Sequence, residues 1–386
     1  MRLLILSLLL TPTAFGQLFG WDSNITIPGL GRDDAVCFTF DRIVYFGMGN
    51  HAGFSESNIF YGYNTRNGEW VDVPAFPGTP RQYATVQTIN EKAFIVGGVD
   101  AANNPLNEVW EFDMADQVWS QKNNANFDAR WAMASFTIAD EIYVGTGRDT
   151  ISYFNDFWKY DSQQDSWIQV ANFPLAPRFE TIGFALHGKG YCGLGKDSAG
   201  TLQSDLWQYD PNIDLWVQKE NYPAGARWYA KAEVLNGSAY VGSGEDENGQ
   251  MRYEFYRYNP AHENWTQVES VPLPARRGVA SCSIPFYGIF WASGLDDSFQ
   301  RLSVISRYTL RISNKTSMGV FFHELNKQVF VTNLPGPFVV RVFDLQGKLK
   351  LKSDGGEDHF SFDTSDWAKG MYVVTCYDQS AKFMLR

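Results

Sequence analysis

Six arginines recur along the chain at an almost constant spacing of 48 or 49 residues. A guanidinium group binds a carboxylate through two parallel hydrogen bonds, so such a set suits an acidic sugar, an acidic peptide or another carboxylate. Trp131 and Trp228 directly follow two of these arginines and would offer faces on which a ligand can stack. The predicted ligand-binding residues are Arg32, His51, Arg81, Arg130, Trp131, Arg178, Arg227, Trp228 and Arg276.

A second column of mostly acidic residues follows closely spaced glycines in each repeat, two positions after the second glycine. An arginine linked to such an aspartate, within or between repeats, would hold the loops without any ligand. Two interpretations of the arginines therefore stay open, ligand binding and scaffolding. The members of this column are His51, Asp100, Asp149, Asp197, Asp246 and Asp296.

The other reactive side chains show no spacing typical of a metal or nucleophile site. The five histidines contain no H-E-x-x-H pair, and the acidic loop GEDENGQ at 244–250 lacks the twelfth-position glutamate of a calcium loop. No metal, cofactor or catalytic residue is predicted. Four scattered cysteines without a C-x-x-C pair are expected to be free and packed as small hydrophobic residues: Cys37, Cys192, Cys282 and Cys376.

The elements that position these residues form a repeat of four short strands. Each arginine begins an apolar strand, and a second strand ends in closely spaced glycines such as Gly145 and Gly147. The stretch NDFWKYDSQQDSW at 155–167 is predicted to be a hairpin, because Asp, Ser, Gln and Asn favour a tight reversal between its aromatic strands. A period of this length indicates a propeller or a solenoid.

This order of landmarks resembles the kelch repeat, in which glycines end the second strand, a tyrosine lies on the third and a tryptophan opens the fourth. The resemblance covers residues 18 to 310 and implies an all-β, six-bladed propeller over 17–310, with both residue columns on the face beside the central channel. The sixth unit lacks the final tryptophan, whereas Trp21 precedes Arg32 by the eleven residues that separate Trp70 from Arg81. An N-terminal strand at 21–29 is therefore predicted to close the ring.

Charge and the N-terminal segment limit the partners and the compartment. The formal net charge is -11 without any Lys/Arg-rich run, so the basic surface that nucleic-acid binding requires is missing. Residues 1–16 follow the plan of a cleaved secretory signal, with Arg2, an apolar run and then small residues. That run is too short to span a bilayer and no later one exceeds it, so we expect an exported protein without a transmembrane segment.

Residues 311–386 leave the repeat and contain five predicted short strands with Gly and Pro turns, which is typical of a small β-sandwich. The pieces RVFDLQGK at 341–348 and DTSDWAKGMYVV at 363–374 resemble the C-terminal sorting domain of the type IX secretion system. That resemblance implies the type IX secretion machinery as a partner. It also implies release, or display on the outer cell surface of a gram-negative bacterium, after passage through the periplasm.

Two functions are compatible with these features. The first is a secreted or surface-attached propeller that binds an extracellular protein or glycan through its channel face. The second is an enzyme acting on an acidic sugar, because a periplasmic sialic-acid mutarotase family is similar in its signal segment and six blades. The additional C-terminal domain and the lack of an obvious general base beside the arginines favour binding over catalysis.

Overall fold

The computed structural model describes residues 19–51, 55–285 and 287–310, and then 319–323, 328–332, 338–344, 348–355, 359–376 and 379–385. The predicted signal segment 1–16 lies outside these residues. The chain divides into two compact units between Leu310 and Arg311. Every regular element in the described residues is a β-strand. These residues include no helix long and apolar enough to cross a membrane.

The described part of the first unit contains six antiparallel four-stranded sheets, the blades of a propeller, which confirms the predicted fold. From first to fourth strand, blade 1 contains Val36–Phe40, Ile43–Gly47, Phe60–Asn64 and Glu69–Asp72; blade 2 contains Thr85–Ile89, Lys92–Val96, Val109–Asp113 and Val118–Gln121; blade 3 contains Ala134–Ile138, Glu141–Gly145, Phe157–Asp161 and Ser166–Val170. Blade 4 contains Ile182–Leu186, Lys189–Gly193, Leu206–Asp210 and Leu215–Lys219; blade 5 contains Lys231–Leu235, Ser238–Gly242, Phe255–Asn259 and Asn264–Gln267; blade 6 contains Ala280–Ile284, Gly288–Ala292, Val304–Leu310 and Phe19–Thr26.

Short two-residue strands flank three of the blades on the channel face. In each of these blades, the short strand that begins at the repeat arginine pairs with a short strand in the loop after the second strand. The arginine column and the second column therefore run side by side. The pairs are Arg32–Asp33 with Asn50–His51, which also pairs with Ser55–Glu56; Arg178–Phe179 with Lys196–Asp197; and Arg276–Arg277 with Leu295–Asp296.

The outer hairpin of blade 3 forms where the sequence predicted it. The Asp161 carboxylate accepts hydrogen bonds from the backbone N–H groups of Gln163 and Gln164, at 2.9 and 3.0 Å, and so turns the chain between the third and fourth strands. Tyr160 and Trp167 are buried and face each other across the hairpin, with ring centroids 4.8 Å apart. Aromatic cross-strand pairs of this kind stabilise antiparallel sheets.

A ring of main-chain hydrogen bonds joins the blades and explains why glycine and arginine repeat together. In each blade, the N–H of the glycine two residues after the second strand donates to the carbonyl of the repeat arginine of the next blade, at 2.8–3.1 Å. These glycines have φ values between 79° and 106°, a region that costs glycine little because it lacks a Cβ. The donor and acceptor pairs are Gly49–Arg81, Gly98–Arg130, Gly147–Arg178, Gly195–Arg227, Gly244–Arg276 and Gly294–Arg32.

Blade 6 combines strands from the two ends of the propeller segment. Phe19–Thr26 pairs antiparallel with Val304–Leu310, so the fourth strand comes from the N-terminal segment and covers an edge that would otherwise be open. Trp21 in this strand is 6% exposed and packs on Tyr308, with ring centroids 5.2 Å apart. Its indole N–H donates to the Glu269 carbonyl of the preceding blade at 3.0 Å.

A disulfide joins Cys37 in the first strand of blade 1 to Cys282 in the first strand of blade 6. The prediction of free cysteines is therefore wrong for this pair. The two residues are 245 positions apart along the chain, and only the circular arrangement of the blades brings their Cα atoms to 5.4 Å. Cys192 is free and buried, as predicted, and Cys376 is also buried.

The described part of the second unit contains two antiparallel sheets packed through one buried cluster, which includes Val329 and Phe362 of one sheet and Val342 and Val374 of the other. Five of its strands match the sequence prediction. Two were missed, and one of these, Leu349–Gly355, alternates lysine with leucine as an edge strand does. One sheet contains Gly319–His323, Gln328–Thr332 and His359–Asp363; the other contains Leu349–Gly355, Phe338–Asp344, Gly370–Cys376 and Gln379–Leu385.

Candidate functional site

The six repeat arginines lie inside the propeller wall. Each is at most 2% exposed, and each donates from Nη1 to the carbonyl of the residue directly after the second strand of its own blade, at 3.0–3.4 Å. The accepting residues have φ values of 56° to 66°, a left-handed turn whose carbonyl needs a donor once it is buried. This geometry favours scaffolding over ligand binding for the arginine column. The accepting residues are Met48, Gly97, Thr146, Leu194, Ser243 and Ser293.

Four of these arginines also pair with carboxylates, but the partners are not the predicted aspartate column. Each partner lies two residues before an aromatic residue on the third strand, a signal that was visible in the sequence as NDFW and SDLW. The arginines therefore pair with a different set of acids, because the residue directly before the third strand, and not the second-column residue of the loop, lies beside the guanidinium. The pairs are Arg81 with Glu108, Arg130 with Asp156, Arg178 with Asp205 at 2.7 Å, and Arg227 with Glu254 at 3.8 Å.

Arg32 and Arg276 lack such an acid, because Ile59 and Ser303 occupy the equivalent places. Burial lowers the pKa of both guanidinium groups, to about 10 for Arg276. Arg32 is also placed over the rings of Phe46 and Tyr61, at 5.5 and 5.4 Å from their centroids. Blade 6 thus holds its arginine with carbonyls alone, and blade 1 holds its arginine with carbonyls and aromatic faces.

The second column holds its own loops. Asp246 accepts hydrogen bonds at Oδ1 from the N–H groups of Asn248 and Gln250, at 2.9 and 3.0 Å, and most other aspartates of the column cap their loops in the same way. His51 pairs its backbone with Arg32, and its ring lies 3.3 Å from the Ser55 hydroxyl. Within the described ranges, no group of three or more His, Cys, Asp or Glu side chains could hold a metal ion.

A ring of six residues, each two positions after a repeat arginine, narrows the channel, and we call this ring the neck. It was not predicted from the sequence. All its members have left-handed φ values of 53° to 62°. Four of them donate their N–H to the carbonyl of the neighbouring member, at 2.8–3.2 Å, which explains how the circle of blades imposes a conformation that side chains usually avoid. The neck consists of Asp34, Tyr83, Ala132, Glu180, Tyr229 and Gly278.

Opposite blades contribute matching side chains to the neck. Blades 1 and 4 supply the acids Asp34 and Glu180, while blades 2 and 5 supply Tyr83 and Tyr229. The two tyrosine rings meet across the channel with centroids 6.2 Å apart, and their hydroxyls are hydrogen-bonded. The cavity at the neck has a volume of about 120 Å³. Ligand pockets usually measure roughly 300–1,000 Å³, so a ligand would contact the neck from the outer face.

The two acids of the neck are hard to ionise. Burial raises the pKa of the Glu180 carboxyl to about 7, against the opposing charges of Lys231 and Arg277. Burial also raises the pKa of Asp34 well above its usual value, and the charges of Asp33 and Glu180 raise it further. The Glu180 carboxyl is 7% exposed, and its raised pKa lies near neutrality.

Aromatic and cationic side chains alternate above the neck, from blade 3 to blade 6, and we call them the rim. The Arg148 guanidinium lies 5.4 Å from the Trp131 ring and 5.2 Å from the Phe179 ring. The Lys196 ammonium lies 4.3 Å over the Trp228 ring. Arg148 and Lys196 directly follow the second glycine of their repeats, one residue before the aspartates that the sequence analysis singled out. The rim consists of Trp131, Arg148, Phe179, Lys196, Trp228 and Arg277.

Arg277 differs sharply from its buried neighbour Arg276. Its guanidinium lies 4.5 Å from the Tyr229 ring and 6.0 Å from the Trp228 ring. Its Nε atom lies 3.3 Å from a carboxylate oxygen of Glu245, while its two Nη atoms have no acceptor among the described residues. A half-buried guanidinium with free donors is suited to a carboxylate that arrives from outside.

Comparison with known proteins agrees with this architecture. Residues 34–227, half of the chain, match the model of the KLHDC2/KLHL20/DRC7 Kelch-repeats domain. The chain belongs to the kelch-repeat family. The solved structure of YjhT matches this kelch protein with a TM-score of 0.62 over 72% of this chain and 95% of YjhT, at 14% identity, which shows a common fold.

One curated relative of this kelch protein is the N-acetylneuraminate epimerase of Pasteurella multocida (strain Pm70). It is 29% identical over 83 residues. The aligned part is 20% of this chain and 21% of the epimerase, so the match spans about a fifth of the relative's length.

The predicted site residues of the kelch propeller thus separate into two layers. Trp131 lies on the rim beside Arg148, and Trp228 lies on the rim beside Arg277. His51 lies in a loop on the same face, paired with the start of the first strand. The arginines of the column lie in the wall beneath, so the structure does not bring them together with the two tryptophans on one accessible surface.

Proposed function

We propose that this kelch propeller is a secreted or cell-surface protein that binds an anionic glycan on the face formed by the rim and the neck. The observation that carries the proposal is Arg277, whose Nη groups have no acceptor among the described residues although the side chain is half-buried. A ligand carboxylate could accept two hydrogen bonds from this group. Arg148 and Lys196 add two positive charges to the same rim.

A glycan fits this face better than an acidic peptide. Hydroxyl-rich ligands need partners that both donate and accept hydrogen bonds, and the neck offers the carboxyls of Asp34 and Glu180 beside two phenol groups. The half-buried rings of Trp131 and Trp228 provide apolar surface for the faces of sugar rings. The similarity to an N-acetylneuraminate epimerase supports a sugar that carries a carboxylate.

The proposal is tested by titration with the methyl glycoside of N-acetylneuraminic acid and with its uncharged methyl ester. Wild type should prefer the acid, and Arg277→Gln should weaken acid binding at least about tenfold while leaving ester binding unchanged. Arg66→Gln, which removes an exposed arginine from the blade 1 hairpin, is the control. Equal affinity of wild type and Arg277→Gln for the acid would overturn the proposal.

A second candidate function is anomer exchange on an acidic sugar, which Glu180 favours. Ring opening of a cyclic sugar requires a proton to leave the anomeric hydroxyl and another to reach the ring oxygen. A carboxyl whose pKa is raised to about 7 can serve as general base or acid near neutrality. Magnetisation-exchange NMR on N-acetylneuraminic acid tests this, because a catalyst raises the exchange rate and Glu180→Gln should abolish that rise. An unchanged rate with wild type leaves binding as the function.

For residues 311–386 we propose a role in export through the type IX secretion machinery. The β-sandwich of this unit has its own buried core, so the propeller does not depend on it for its interior. Deletion of 311–386 should leave a propeller with the melting temperature of the full chain, but the product should collect in the periplasm. Normal release or surface display of the deleted protein would assign the unit another role.

A further inference from the structure

We propose that the cleft between blades 4 and 5 is a second sugar subsite, so that the ligand is an oligosaccharide whose acidic residue sits at Arg277 and whose neighbouring residue enters the cleft. The inference rests on the proposed function and extends it from a single sugar to a chain. The cleft lies between the loop 196–202 of blade 4 and the loop 245–249 of blade 5.

The cleft has the size that the neck lacks. Its volume is about 360 Å³, against about 120 Å³ at the neck. Pockets that bind small ligands usually measure roughly 300–1,000 Å³, so the cleft accommodates a sugar residue and the neck does not. A ligand anchored at the rim would therefore extend sideways into the cleft and not down the axis.

Trp228 lies both on the rim beside Arg277 and in the wall of the cleft, and so links the two. Its ring lines the cleft, and the Arg277 guanidinium lies 6.0 Å from the same ring. Phe179 contacts Trp228 edge-on, with centroids 5.9 Å apart, and Tyr229 packs against it at 4.4 Å. These neighbours hold the indole in one orientation. A sugar at Arg277 and its neighbour in the cleft would therefore share one aromatic side chain.

The walls of the cleft are polar and carry both kinds of charge. Blade 4 supplies Lys196 and the hydroxyl of Thr201, while blade 5 supplies Glu245 and the exposed Glu247. Carboxylates accept hydrogen bonds from sugar hydroxyls, and Lys196 and Thr201 can donate to ring or hydroxyl oxygens. This mixture suits a neutral, hydroxyl-rich residue better than a second acidic one.

Glycines at the tips of the two loops keep the cleft open. Gly200 and Gly249 have φ values of 86° and 73°, and each N–H donates to the carbonyl of the column aspartate three residues earlier. The equivalent positions of blades 2 and 6 hold Asn103 and Phe299 with φ values of 62° and 56°, so the loop accepts a side chain there. A Cβ on Gly200 would come 3.9 Å from the Lys196 side chain, on the cleft wall.

The test compares the methyl glycoside of N-acetylneuraminic acid with sialyllactose on wild type and on Gly200→Asn. Wild type should bind sialyllactose at least about tenfold more tightly than the monosaccharide, and Gly200→Asn should reduce that preference to below about threefold without changing monosaccharide affinity. Gly225→Asn is the matched control, because Gly225 has a φ of 87° with no atom within 4 Å of a Cβ and lies outside the cleft.

The possible outcomes separate the two proposals. Equal affinity of wild type for the two sugars would overturn the subsite and leave glycan binding at Arg277 in place. A Gly200→Asn protein that keeps the full preference would do the same. Binding of neither sugar would overturn the proposed function and the subsite together.

Discussion

Cys37 and Cys282 form their disulfide at a position where other blade junctions use a hydrogen bond. Counted from the repeat arginine of each blade, Cys282 has the position of Gln87 and Cys37 has the position of Ser135. At the junction of blades 2 and 3, the Gln87 amide donates to the Ser135 hydroxyl at 2.9 Å. The junction of blades 6 and 1 thus carries a covalent link, next to the blade whose fourth strand comes from the N-terminal segment. The equivalent pair between blades 5 and 6 is Glu233 with Ser281, also at 2.9 Å.

Replacing both Cys37 and Cys282 with Ser is expected to lower the free energy of unfolding by about 2–5 kcal/mol, because a cross-link over a long loop restricts the unfolded chain. Urea denaturation with and without dithiothreitol measures this. Reductant should bring wild type to the level of the double variant and leave the variant unchanged. Equal stability of oxidised wild type and the variant would show that the bond contributes nothing to ring closure.

Trp21→Ala is expected to lower the free energy of unfolding by about 3–5 kcal/mol, the usual cost of truncating a buried tryptophan. The indole fills a slot against Tyr308 and holds the N-terminal strand on blade 6. Trp70→Ala is the matched control, since Trp70 has the same place in blade 1 but is half-buried. Thermal melts should show the larger loss for Trp21→Ala. A larger loss for Trp70→Ala would contradict the importance of the closing strand.

Arg178→Gln and Arg277→Gln should have opposite effects. Arg178→Gln leaves the Asp205 carboxylate, whose side chain is 8% exposed, without a guanidinium to balance its charge, and should cost about 3–5 kcal/mol of stability. Arg277→Gln breaks a more exposed contact with Glu245 and should change stability by at most about 1 kcal/mol. Melting curves and the acid titration described above measure both. Lost binding with unchanged melting in Arg178→Gln would restore the arginine column as the ligand site.

The raised pKa of Glu180 predicts that the free energy of unfolding depends on pH. Its folded pKa is raised from 4.5 to about 7, so its contribution is fully present below pH 4.5 and is lost as the pH rises through about 7. Between pH 4.5 and pH 8, wild type should lose about 2–3 kcal/mol more unfolding free energy than Glu180→Gln, which cannot ionise. Urea denaturation at the two pH values measures the difference. A wild type that gains stability relative to the variant over this range would contradict the burial of the carboxyl.

The sequence by itself determined the repeat, its strands and the class of fold. Closely spaced glycines, a polar turn and an aromatic pair each depend on a few neighbouring residues, so the elements that they form can be predicted from the sequence. The circular ring of hydrogen bonds from Gly49 to Arg81 and onward shows why these landmarks recur together. The strand at Trp21 could also be predicted from the sequence, because the spacing of Trp21 to Arg32 repeats that of the equivalent residues in every other blade.

Only the tertiary structure decided which residues form the site. Adjacent residues on an extended segment point to opposite sides, so Arg276 lies in the wall while Arg277 lies on the rim, and nothing in their shared residue type distinguishes them. The disulfide between Cys37 and Cys282 and the tyrosine pair across the neck depend on closure of the ring, which joins segments far apart in the chain. Burial then sets the charge of Glu180, since the cost of ionising a carboxyl depends on the surroundings that the closed ring creates.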